Sequence, residues 1–117
     1  MRSERPPGLK ISAALSGGDA LVRLAGEVDR NTSPDLRTRL HELLRQRPAR
    51  MIVDLARVSY MDSSGVGTMV EIKRLVERQA GRLILAALQP RVRSVFEITQ
   101  LDKFFTLVSA VDEARSP

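Results

Sequence analysis

The residues best able to do chemistry stand together in Asp62-Ser63-Ser64-Gly65, a carboxylate, two adjacent hydroxyls and a glycine, followed by Val66-Gly67. The segment comes after an apolar run and immediately before a stretch with helical periodicity. Helix starts leave backbone N–H groups unpaired and carry the positive end of the helix dipole. In open α/β sheets, strand ends that face helix starts are where function tends to sit. A helix also needs an N-cap for its own stability, and Asp and Ser are favoured there. Asp62 or either serine fits that role, and spacing alone does not separate Ser63 from Ser64.

Other chemistries fit poorly. Gly65-Val66-Gly67 lacks the rest of a dinucleotide fingerprint, and no phosphate-loop lysine motif follows. Ser63 is not in a G-x-S-x-G elbow, and the one histidine, His41, falls on the polar face of a helix. With no cysteine, disulfides and thiolate metal sites are excluded. No nucleophile–base pair or metal cluster emerges, so neither a cofactor nor an enzymatic activity is expected.

The elements that must position this segment follow from the hydrophobic pattern. Ile11, Ala13 and Leu15 alternate with small or polar residues, Ser16-Gly17-Gly18-Asp19 is a turn signal, and Leu21 to Ala25 reads as a returning strand. Gly26 to Thr32 reads as a loop carrying Glu27, Asp29 and Arg30. A helix then starts with Ser33 as N-cap, Pro34 at the first helical position and Asp35 in the first turn. Leu36, Leu40, Leu43 and Leu44 form its apolar stripe, and Pro48 stops it. Met51-Ile52-Val53 and Asp54-Leu55 form a strand apolar on both faces. A second helix runs to about Ala80, Leu83 to Leu88 is a strand, and Pro90 opens a short helix with Val92, Val95 and Phe96 inward. Phe104 to Val108 and Ala110 to Arg115 complete the pattern as strand and helix.

This order predicts a single α/β domain over residues 9–115, with an N-terminal antiparallel hairpin, a mostly parallel sheet and helices packed on it. Right-handed crossovers in chain order would gather the helices largely on one face. Residues 1–8, which include Pro6-Pro7-Gly8, read as a flexible tail.

Nineteen Lys and Arg against fourteen Asp and Glu give a net charge of +5. The arginines are dispersed, and the four aromatics look like core rather than a stacking platform, so direct nucleic-acid binding is not expected. Apolar runs fall well short of the roughly 20 residues that span a bilayer. The N-terminus has no apolar signal region. No membrane insertion is expected, and the chain reads as cytoplasmic.

The stretch Asp54-Leu55 followed by Val58-Ser59-Tyr60-Met61-Asp62-Ser63-Ser64-Gly65-Val66-Gly67 resembles the signature of the STAS domains, in particular the bacterial anti-sigma factor antagonists. The similarity extends upstream through Gly26-Glu27-Val28-Asp29 and Thr32, and downstream through Gly81, Pro90, Val92, Phe96 and Leu101. The resemblance implies a phosphorylation-controlled protein-binding switch. Its partner is an anti-sigma factor that is also a serine kinase of the histidine-kinase-like ATPase fold. A metal-dependent serine/threonine phosphatase reverses the modification. It implies Ser63 as phosphoacceptor, flanked by Asp62, Ser64 and Gly65, with Asp29 near the phosphosite and the partner surface. From the residues alone, Asp29 could equally do no more than bond nearby amides in a turn. Other members of the same superfamily are accessory subunits of lipid-transporting ABC systems, which is the alternative reading. A stressosome-type scaffold is a third, without the extra sensory domain.

Overall fold

Met51, Ile52, Val53 and Leu55 have no exposed surface because the strand that carries them lies at the centre of a five-stranded sheet. The computed structural model describes residues 8–115. Its elements are β1 (Leu9–Ser16), β2 (Asp19–Val28), α1 (Ser33–Leu44), β3 (Arg50–Met61), α2 (Ser63–Arg78), β4 (Arg82–Ala86), α3 (Pro90–Ile98), β5 (Thr106–Val108) and α4 (Val111–Arg115). The strand order is β1-β2-β3-β4-β5, with β1–β2 antiparallel and every other pair parallel. The chain is a single α/β domain of the expected class. All but Gly8 of the tail expected over residues 1–8 lies outside the described residues.

The two faces of the sheet are covered unequally. Val22, Leu24, Met51, Val53 and Leu55 pack against Leu36 and Leu40 of α1, Met69 and Ile72 of α2, and Val92 and Phe96 of α3. On the other face Leu21, Ile52, Ile84 and Ala86 pack with Ala114 and Val111 of α4 and Val108 of β5. The three longer helices therefore share one side. Alternate residues of β3 feed the two cores, as the two-residue period of a strand requires.

Several boundaries differ from the sequence expectation. β2 continues through Gly26 to Val28 rather than ending at Ala25, and β3 continues to Met61. Register shifts between Arg23 and Ala25, and again between Gly26 and Glu27, break the alternation without ending the pairing. Gly26 takes φ +128, and a Cβ there would lie 2.3 Å from the Gly8 carbonyl oxygen. It serves close backbone approach within a strand, not a loop. Thr32, not Ser33, occupies the N-cap of α1 and makes no side-chain capping bond. The reason is that both the amide and the hydroxyl of Ser33 turn to the Asp29 carbonyl, at 2.8 and 2.6 Å. Phe105 precedes β5 and packs edge-on against Phe96, with ring centroids 5.3 Å apart.

Candidate functional site

β3 delivers Met61, buried under α2, to its end, and the chain must then turn into a helix. Asp62 makes that turn in an extended conformation. Its amide donates to the Val28 carbonyl at 3.1 Å, tying the ends of β2 and β3 together. Its Oδ1 accepts from the Ser64 amide at 2.9 Å, the Gly65 amide at 3.4 Å and the Ser64 hydroxyl at 2.6 Å. Asp62 is thus the N-cap that the sequence left open among three residues. Burial alone would raise its pKa. The bonds from the Ser64 hydroxyl and from the Ser64, Gly65 and Arg30 amides prevail and hold the carboxyl below its ordinary range.

Gly65 is required by contact. A Cβ there would sit 2.7 Å from Met61 Cγ and 2.7 Å from Val28 Cγ1, so the first turn of α2 lies directly on the ends of β2 and β3. Gly67, one turn after Ser63, faces open space.

The two neighbouring hydroxyls differ sharply. Ser64 is half-buried, and its Oγ lies between Asp62 Oδ1 and the Ser33 hydroxyl, which is 3.1 Å away. Its carbonyl accepts from the Thr68 hydroxyl at 2.9 Å. Ser63 is exposed as the first residue of α2, and its hydroxyl has no hydrogen-bond partner among the described residues.

Asp29 lies in the turn between β2 and α1. Its Oδ1 accepts from the amides of Asn31 at 2.8 Å and Thr32 at 3.0 Å, the local bonding an aspartate provides in a turn. Its carbonyl accepts the Ser33 hydroxyl, which also reaches Ser64. One continuous polar chain therefore runs Asp29–Ser33–Ser64–Asp62 beneath the exposed Ser63. The sequence points to Asp29, Asp62 and Ser64 in this region but gives Ser33 only as an N-cap, not as a bridge. No spacing signal could have revealed it, because it depends on the starts of α1 and α2 meeting in space.

Among the described residues no base bonds the Ser63 hydroxyl. His41 bonds Glu71 at 2.7 Å, and Glu71 lies eight residues along α2, about 12 Å from the helix start. Arg37 also bonds Glu71, at 2.8 Å. That bond foremost, with His41 adding to it, keeps the Glu71 carboxyl below its ordinary range although burial opposes it. Among the described residues no group of three or more His, Cys, Asp or Glu could hold a metal, and no helix is long and apolar enough to cross a membrane. The arrangement leaves the Ser63 hydroxyl open to solvent at the start of α2.

The STAS domain model matches residues 10–114. The chain belongs to the STAS-domain anti-sigma factor antagonist family. This STAS domain is 37% identical over 93 residues to the anti-sigma-B factor antagonist of Bacillus subtilis (strain 168), covering 80% of this chain and 84% of that protein. It superimposes on the unphosphorylated form of the anti-sigma factor antagonist SpoIIAA with a TM-score of 0.78 at 30% identity, covering 90% of this chain and 92% of the other. The phosphorylated form of the Bacillus cell fate determinant SpoIIAA gives 0.70 at 29% identity, covering 90% and 96%. The fold and the family expected from the Asp-Ser-Ser-Gly segment are those found.

Proposed function

We propose that this chain is an anti-sigma factor antagonist switched by phosphorylation of Ser63. Unphosphorylated, it binds an anti-sigma factor that is also a serine kinase of the histidine-kinase-like ATPase fold, and so frees a sigma factor. The kinase transfers the γ-phosphoryl of ATP to Ser63 Oγ. The new O–P bond replaces the β–γ bridge bond, ADP leaves, and the hydroxyl proton passes to a base on the kinase. A serine/threonine phosphatase restores the hydroxyl. The single observation that carries this reading is that Ser63, alone of the two serines, is exposed at the start of α2 and unbonded among the described residues. The antagonist names of the relatives, and a phosphorylated form among the structural neighbours, support it.

The physics of the switch is local. A phosphoserine carries about −1.5 to −2 charges at neutral pH. The positive end of α2 favours that charge by roughly 0.3–1 kcal/mol, so the fold itself tolerates it. Docked against a partner, the same charge must be desolvated beside Asp62, whose carboxyl stays ionised. An uncompensated buried charge costs several kcal/mol.

The test is site mapping. The full chain is incubated with ATP and the ATPase it captures from lysate in the presence of ADP, and phosphopeptides are sequenced by mass spectrometry. Label on Ser63, absent from Ser63→Ala, is the expected result. Label on Ser64, or none, would end the assignment.

A further inference from the structure

Apart from Lys10 near its start, the first strand is a sheet edge without the usual guards among the described residues. β1 pairs with β2 through all eight of its residues with no register shift, and among the described residues no strand lies on its other side. Alternate residues therefore turn their N–H and C=O groups outward. From Ile11 to Gly18 the sequence Ile-Ser-Ala-Ala-Leu-Ser-Gly-Gly has neither charge nor proline. Edge strands are normally blunted by charges, proline, bulges or shortness. The opposite edge, β5, obeys that rule with three residues. β1 does not. Ser12 to Ser16 are all exposed, Leu15 to 52%.

We propose that this edge pairs antiparallel with β1 of a second copy of the chain, about a two-fold axis at Ala13. The strand is complementary to itself in that register. Ile11 of one copy faces Leu15 of the other, Ala13 faces Ala13, Ser12 faces Ala14, and Lys10 faces Ser16. Ile11 packs on the helix-side core, and Leu15 lies on the same face by strand alternation. The exposed Leu15 thereby gains an apolar neighbour, and the apolar row continues across the axis. The only charge in the paired stretch, Lys10, meets a hydroxyl, and the two copies' lysines stay about 20 Å apart, six residues along a strand. A two-fold contact of this kind uses the same patch on both copies and closes on itself. Ser63, the first residue of α2 just beyond β3, lies two strands in from the edge and remains accessible in both copies. The pairing does not depend on the phosphorylation reading.

Sedimentation of the unmodified full chain should show mass rising with concentration toward twice the 13.0 kDa of the monomer. Ala13→Lys sets two ammonium groups across the axis and should give a folded monomer, with its circular dichroism unchanged. Mixing Ala13→Lys with Ala13→Asp should restore the dimer. Because the chain has no cysteine, Ala13→Cys places a lone thiol on the axis, and mild oxidation should cross-link it several-fold faster than the surface control Arg91→Cys. That arm reads the contact even if Ala13→Lys folds poorly. A chain that stays at monomer mass at its highest soluble concentration would overturn the proposal. So would a dimer indifferent to Ala13→Lys, or cross-linking of Ala13→Cys no faster than the control.

Discussion

The Ser33 hydroxyl lies 3.1 Å from the Ser64 hydroxyl and 2.6 Å from the Asp29 carbonyl, so the starts of α1 and α2 are joined under the candidate site by a single side chain. Ser33→Ala removes that join while leaving the Ser33 amide on the Asp29 carbonyl and Ser64 on Asp62. We expect a loss of about 1 kcal/mol in urea denaturation, the net worth of one partly buried hydrogen bond.

Asp62 should matter more. Asp62→Ala removes the cap of α2 together with the Ser64 hydroxyl bond, and is expected to cost about 1–2 kcal/mol. The sign of its pH dependence follows from its lowered pKa. The stability it contributes is fully present above the unfolded aspartate pKa of about 3.9 and is lost as pH falls through the lower folded value. Asp62→Asn should flatten that acid limb in denaturation curves taken across the range.

The two glycines of α2's first turns should behave oppositely. Gly65→Ala drives a methyl against Met61 and Val28 at 2.7 Å and should destabilise by about 1–3 kcal/mol, as overpacking does. Gly67→Ala meets nothing and should stabilise by up to about 1 kcal/mol through helix propensity. Thermal melts of the two variants check both signs.

Asp29 combines a structural and a proposed partner role, and Asp29→Asn separates them. The amide oxygen can still accept from Asn31 and Thr32, so the melting temperature should hold. The charge is gone, so affinity for the captured ATPase should fall if the carboxylate faces the partner. Calorimetry on the variant reads both.

Much of this arrangement was legible before any coordinates. The Leu36–Leu40–Leu44 stripe and the hairpin follow from periodicity, and capping chemistry narrows the start of α2 to Asp62, Ser63 or Ser64. The far ends of β2 and β3 were not, because two register shifts interrupt the alternation that marks a strand. Nor was the difference between Ser63 and Ser64. It rests on which hydroxyl turns inward to Asp62 and on Ser33 arriving from thirty-one residues away, neither of which leaves a trace in local spacing.

The most direct measurement compares affinities. Unmodified chain, Ser63→Ala, and chain phosphorylated stoichiometrically at Ser63 are titrated calorimetrically into the captured ATPase with ADP present. The first two should bind alike, and the phosphorylated form about 100-fold more weakly, a difference near 2.8 kcal/mol. Equal binding by the phosphorylated and unmodified forms would contradict the switch.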